Sequence, residues 1–258
     1  MRSNTAMTPG RAGSLSSDSK RFQGLTGPTL AASLAMLALL GLGTWQIQRL
    51  HWKLDLIAKI SERVRAPTVA IESLLANDIS DAEYTHVTAT GRFHHDLERY
   101  LYAPGDGDWG WDVLTPLELA DGRAVIVNRG YVPRQQQERR LRPGGLPDGV
   151  VTVSGLVRLP PGSKPWWTPA GDVSKFAWYW PEISAMAASM AVRRRQPLSG
   201  LYIDADVIAA AAPPTGGATN LDLPNRHLEY AVTWFALAAT LALVYVLFVA
   251  YRLRGARG

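Results

Sequence analysis

Two stretches of the chain carry no Asp, Glu, Lys or Arg, and between them the hydrophobic period shortens to two. The first covers the 27 residues between Arg21 and Arg49, and the second the 22 residues from Tyr230 to Tyr251. A helix rises about 1.5 Å per residue, so about 20 apolar residues cross a bilayer. Both stretches meet that length, which predicts membrane helices over 25–46 and 228–251. Aromatic residues mark their ends: Trp45 and Trp52 after the first, Tyr230, Trp234 and Tyr251 on the second. Such aromatic belts are the rule at membrane–water interfaces. The apolar run of the first stretch is longer than the core of a signal peptide, and no A-x-A site follows it, so it reads as retained. Beyond it, Leu50, Leu54, Ile57 and Val64 form one stripe among Lys53, Lys59 and Arg63. This predicts a helical extension over 47–65, which Pro67 terminates. Val69 to Leu75 reads as a short helix.

From His86 the pattern alternates. Val87, Ala89, Gly91 and Phe93 interleave with His86, Thr88, Thr90 and Arg92, the period of a strand. Further strands are expected at 99–103, 111–119, 124–131, 150–158, 175–180 and 201–204, and a helix over 181–192 with Pro181 in its first turn. Asp121-Gly122 between two apolar runs is a hairpin signal, and Pro143-Gly144-Gly145 is another turn. Residues 66–206 therefore predict a compact, mostly antiparallel β barrel or sandwich. Residues 207–224 lose periodicity and read as a flexible tether. Residues 1–24, rich in Ser, Gly, Thr and Arg, read as a disordered cytoplasmic tail, and 252–258 as a basic cytoplasmic tail. The fold class expected is an α+β membrane protein, two transmembrane helices flanking an outward-facing β domain.

Charge sets the orientation. Arg252, Arg254 and Arg257 follow the second span and only Arg226 stands close before it, so the C-terminus faces the cytoplasm. Two spans then place both termini there and the β domain in a periplasm or an intermembrane space. The net charge of +5 fits a membrane-surface protein, and no nucleic-acid partner is expected. Ala31 with Ala35, and Ala238 with Ala242, supply small residues for close packing of the two spans.

Chemistry is sparse. The chain has no cysteine, which removes disulfides, zinc knuckles, iron–sulfur clusters and thiol catalysis together. There is no G-x-S-x-G, no P-loop and no G-x-G-x-x-G, so no enzyme is expected. His86, His94 and His95 read as exposed strand or turn residues. His94 and His95, as neighbours, would point to opposite faces of a strand and could not chelate one copper ion. Arg193-Arg194-Arg195 reads as a solvated face. One constellation stands out: on a helix His227, Tyr230, Ala231, Trp234 and Ala238 share a stripe. A neutral imidazole ligates haem iron, the two alanines admit a flat macrocycle, and Trp234 can stack on it. At the matching end of the first span, Trp45, Arg49, Trp52 and Lys53 offer cations for carboxylates. Ordinary interfacial anchoring supplies the same residue types.

Four segments carry a family resemblance: GTWQIQRLHWKLDLI (43–57), TGRF (90–93), WGWDVLTPLELADGRAVIVNRGYVPR (109–134) and NRHLEYAVTWFALA (225–238). With their order and the two-span plan, they make the chain resemble the Surfeit locus family of cytochrome c oxidase assembly factors, bacterial type. The resemblance implies a non-enzymatic role in delivering haem a to, or inserting it into, the largest oxidase subunit. It implies transient haem a binding with His227 as the axial ligand. The residues expected around the cofactor are His227, Trp234, Arg226, Arg49 and Trp45. The expected partners are oxidase subunit I, a haem a synthase and the lipid bilayer. The location implied is a bacterial plasma membrane, or the mitochondrial inner membrane in a eukaryote. The family often has Asn where Arg226 stands, so Arg226 either pairs with a propionate or anchors the helix. A scaffold that stabilises an assembly intermediate without haem is the alternative. Within VIVNRGYVP, Val125, Ile126 and Val127 read as a buried strand, Gly130 as a bulge or close backbone approach, and Asn128 and Arg129 as a polar network or a partner-facing pair.

Overall fold

A computed structural model describes residues 24–105, 108–172, 176–192, 195, 197–207, 212–217, 219, 221 and 223–255. The expected N-terminal tail and the Arg193-Arg194 pair lie outside the described residues. The chain divides into two compact units, one made of Met1–Leu56 with Pro224–Gly258 and the other of Ile57–Leu223.

Two helices dominate the first unit. Helix α1 runs without a break over Thr26–Arg65, and a second long helix, numbered below, covers His227–Gly255. Both are long and apolar enough to cross a membrane. Along α1 the less exposed positions are Ala32, Met36, Leu39, Gly43 and Gln46. Along the other helix they are His227, Ala231, Trp234, Ala238, Leu241 and Tyr245. Both series step by four and three, the 3.5-residue period of helices that pack as a left-handed pair. Their contacts are antiparallel. Thr29 Oγ1 meets the Tyr245 hydroxyl at 2.5 Å, and a Cβ on Gly43 would stand 2.8 Å from the Phe235 ring. The small residues therefore act differently from expectation. Ala31, Ala35 and Ala242 face outward, and the close approach falls at Gly43, Ala231 and Ala238. An offset of one residue rotates a helix by about 100°, enough to move a small-residue pair off the contact face. Leu54, expected on the apolar stripe of the extension, is likewise exposed, while Ile57, Ile60 and Val64 are not.

The second unit is a closed β barrel with additions. Its strands are β1 Val69–Ala70, β2 His86–Phe93, β3 Arg99–Pro104, β4 Trp109–Leu119, β5 Ala124–Pro133, β6 Val150–Arg158, β7 Ala177–Trp178 and β8 Leu198–Ala205. Helix α2 spans Ile71–Leu74, α3 spans Ile183–Ser189, and α4 is the His227–Gly255 helix of the first unit. The expected helix over 69–75 is thus a short strand followed by one turn. The expected helix over 181–192 is trimmed at both ends. The ring runs β2-β6-β8-β5-β4 and closes by pairing of β4 with β2. Five strands cannot alternate direction all the way round, so one neighbouring pair must be parallel. That pair is β5 with β8, and the other ring ladders are antiparallel. β1, β3 and β7 extend the ring outside it.

The VIV run is apolar throughout because both faces of β5 are covered. Val125 and Val127 point into the barrel with Val87, Ala89, Leu117, Val157, Leu201 and Ile203. Ile126 points outward under α3, against Met186, Met190, Leu114 and Tyr202. Gly130 then holds φ +99°, and a Cβ there would collide with the Gly216 backbone. Gly216 N donates to the Arg129 carbonyl at 2.7 Å, and Gly217 N to the Ala205 carbonyl at 2.8 Å. The segment expected to be a free tether is therefore stitched, at these residues, to β5 and β8. Gly130→Ala combines a left-handed backbone with a backbone clash and is expected to destabilise the domain by about 2 kcal/mol or more. The midpoint of urea unfolding measures it.

Candidate functional site

His227 opens α4, where Asn225 Oδ1 accepts a hydrogen bond from its backbone N–H at 3.4 Å. The ring is half-buried, and its Nδ1 stands 2.7 Å from Oε1 of Gln46. Gln46 is 8% exposed and sits on the seam of α1, one turn beyond Gly43. A carbonyl oxygen only accepts, so Nδ1 is the donor and Nε2 is left with the lone pair. The pair is 181 positions apart in sequence. Nothing in the sequence separates Gln46 from Gln48 two residues on; only the residue opposite it does.

The other expected residues distribute unevenly. Trp234 is half-buried two turns along α4. Trp45 is 49% exposed and lies about 100° round the helix from its neighbour Gln46. Arg49 is exposed, with its guanidinium 4.4 Å above the Trp52 ring. Arg226 is exposed and sits 4.0 Å from Glu229, a contact worth little in water. The structure thus brings Gln46 to His227, with cations exposed on neighbouring turns of each helix. The expected approach of a flat macrocycle to Ala231 and Ala238 does not hold, because those residues are 1% and 4% exposed and serve the seam. The donor set fits a haem only from the His227 end: one half-buried imidazole whose Nδ1 faces Gln46, and exposed arginines for carboxylates.

The β domain carries polar networks between its strands and connections. Among the described residues no group of three or more His, Asp or Glu is placed to hold a metal ion. His86, His94 and His95 are half-buried, not exposed as expected, because each faces a carboxylate. His94 Nε2 lies 2.8 Å from Glu118, and His95 Nδ1 lies 3.5 Å from Glu98. His86 bridges Thr68 Oγ1 at 2.7 Å and Asp206 Oδ2 at 2.8 Å. Hydroxyl, imidazole and carboxylate in a row resemble a hydrolytic relay. Here they follow from strand register: β1 lies parallel to β2 with Val69 opposite Val87, which sets Thr68 beside His86, and the hydroxyl end is exposed.

The NRGY motif is also internal. Asn128 donates to Asp204 Oδ1 at 3.0 Å and to Asp112 Oδ2 at 3.4 Å, and its Oδ1 accepts from Gly130 N. Arg129 reaches Glu98 at 3.3 Å and the Gly145 carbonyl, and its guanidinium lies 4.9 Å from the Phe93 ring centre. Beside this network lies a cleft of about 900 Å³ walled by Tyr100, Trp109, Trp111, Phe176 and Tyr179. Tyr100, Trp109, Trp111 and Tyr179 already meet one another tilted or edge-on, with ring centres 5.5–6.5 Å apart. Trp166 and Trp167, in the β6–β7 connection, stand 90% and 70% exposed.

A model of the SURF1 family matches residues 33–239. Surfeit locus protein 1 of Rattus norvegicus is 33% identical over 216 residues, 77% of this chain and 68% of its own. Surfeit locus protein 1 of Homo sapiens is 31% identical, covering 92% of this chain and 83% of its own. A SURF1-like protein of Monosiga brevicollis is 34% identical, covering 89% and 90%.

Proposed function

The chain belongs to the SURF1 family, and from that premise we propose that it is a membrane-anchored assembly factor for cytochrome c oxidase that holds haem a for delivery to the largest oxidase subunit. The observation that carries this reading is His227 at the head of α4, its Nδ1 2.7 Å from Gln46 Oε1 and its Nε2 on the other side of the ring. A haem iron would supply a Lewis-acidic centre for one imidazole nitrogen, and a half-buried ring held at Nδ1 by Gln46 at the end of an apolar helix suits it. Arg49 and Arg226 supply positive charge for propionates, in the manner of arginine with carboxylates generally. His227 presents the ligand, Gln46 orients it, and the arginines fix which edge faces water.

In this reading α1 and α4 span the membrane, a bacterial plasma membrane with both termini in the cytoplasm, and the β domain projects into the periplasm. There Trp166 and Trp167 offer the kind of exposed aromatic anchor that protein interfaces use, for docking on nascent subunit I or on a haem a synthase. In this reading the role is non-enzymatic: His86, His94 and His95 of the β domain are each engaged by a carboxylate.

The test is the absorption spectrum and extracted-haem content of the full chain purified after co-expression with a haem a pathway, with His227→Ala in parallel. Haem a on the parent, falling at least about tenfold in the variant as expected for loss of an axial ligand, supports the reading. A folded parent without haem supports the scaffold role instead.

A further inference from the structure

We infer that Gln46 is a positioning residue that sets how firmly His227 holds iron, and that its uncharged amide keeps that hold weak enough to release; the inference rests on the haem reading above. A neutral imidazole has one N–H and one lone pair. With a carbonyl oxygen 2.7 Å from Nδ1, the proton belongs on Nδ1. The opposite tautomer would set two lone pairs against each other at that distance. The ligand lone pair is thereby assigned to Nε2 before any cargo arrives, and the ring is held against rotation. Gln46 is 8% exposed, so water competes poorly for its oxygen and the contact is stronger than on a surface. Its backbone is equally fixed, one turn from the Gly43–Phe235 contact of the seam.

The chemical identity of the partner is the second half of the argument. A carboxylate on the far nitrogen draws the N–H proton toward itself, makes the ring more basic and strengthens the metal bond. An amide carbonyl orients the ring in the same way but pulls on the proton far less. A resident cofactor is served by the first arrangement. A protein that must give its cargo away is served by the second. Turning the amide over would present N–H to Nδ1, move the ring proton to Nε2 and remove the ligand lone pair. The same contact therefore separates a ring that holds from one that does not.

The experiment uses the full chain in nanodiscs loaded with haem a, comparing the parent with Gln46→Glu, Gln46→Leu and His227→Ala. Three readouts are taken: the iron–histidine stretch of the ferrous form by resonance Raman, the haem reduction potential, and the rate of haem transfer to excess apo-globin. Gln46→Glu is expected to raise the stretching frequency, lower the potential and slow transfer by about tenfold. Gln46→Leu is expected to lower the frequency and speed transfer by about tenfold, the range typical of lost partners behind metal-bound histidines. If His227→Ala loses the haem while both Gln46 variants match the parent in all three readouts, the role assigned to Gln46 is overturned and the haem reading stands. If His227→Ala keeps the haem and its spectrum, the haem reading itself falls. Melting curves verify that each variant is folded, and Gln46→Glu, equal in shape to the parent residue, carries the comparison if the leucine variant is not.

Discussion

Glu98→Ala is expected to lower the stability of the β domain by about 3–5 kcal/mol, the usual cost of removing one partner from a buried ion pair. The carboxylate is 1% exposed, the Arg142 side chain 1% and the Arg129 side chain 8%. Arg142 Nη2 donates to Glu98 Oε2, Arg129 Nη1 approaches Oε1 at 3.3 Å, and the Tyr100 hydroxyl lies 3.4 Å from Oε2. The arginines reach onward, Arg142 to the Gln136 carbonyl at 3.2 Å and Arg129 to the Gly145 carbonyl. One carboxylate thus ties the irregular turns over 134–145 to the connection between β2 and β3. Without it two buried guanidinium groups lose their carboxylate and keep only neutral partners, backbone carbonyls with the Tyr100 hydroxyl at 3.5 Å for Arg142 and the His95 ring at 3.3 Å for Arg129. Burial by itself would push the Glu98 carboxyl up. Hydrogen bonds from His95 and Arg142, and the charges of Arg142 and Arg129, outweigh it and hold the group below its ordinary value of 4.5. A depressed folded value means that its stabilisation is present above the unfolded pKa and disappears as pH falls through the folded one. The variant should therefore lose most stability at neutral pH and differ less from the parent in acid. Urea unfolding of the full chain at pH 7 and pH 3 measures both. A loss under about 1 kcal/mol at pH 7 would show that the network is dispensable.

The local order of this fold is legible in the chain and its closure is not. Two uncharged runs and a period-two block announce two helices and a β domain, because burial on one face of an element dictates spacing directly. Which residues meet across elements depends on rotation and register, and spacing fixes those only to within a residue or two. Ala31 and Ala35 have the right size and period for a helix contact, yet the seam runs through Ala32, Met36, Leu39 and Gly43. Strands of two residues, such as β1 and β7, are too short to show a period. The parallel pairing of β5 with β8 comes from closing an odd ring, a property of the whole barrel that no window of sequence contains. His227 was visible as chemistry, a lone imidazole at a helix head. Gln46 was not, since an amide in an apolar run acquires its meaning only from the residue opposite.

Asp112→Asn is expected to stabilise the protein above neutrality and to remove part of its pH dependence, with the opposite sign to Glu98. Asp112 is half-buried on β4 with Asn128 Nδ2 at 3.4 Å. Asp204 is the neighbouring carboxylate, itself paired with Arg158 at 3.1 Å and Thr219 at 2.5 Å. Burial pushes the Asp112 carboxyl up, the Asn128 hydrogen bond opposes this, and the charge of Asp204 adds to the rise, which takes it from 3.8 to about 6. Between about pH 4 and pH 6 the folded protein therefore keeps a proton that the unfolded chain has released. Stability falls as pH rises through that window and levels off above it. A rise of about two units corresponds to at most ~3 kcal/mol, and partial exposure reduces this to about 1–2 kcal/mol. Asparagine fills the same volume, can turn its carbonyl toward Asn128 and never ionises. The stability difference between variant and parent should grow from pH 4 to about pH 6.5 and then hold constant, as read by urea unfolding at half-unit steps. A difference that stays flat across that range would mean that Asp112 is ionised in the folded protein throughout. Asn128 would then be satisfying two charged carboxylates at once, and its amide, not a retained proton, would be what keeps β4, β5 and β8 together at that point of the ring.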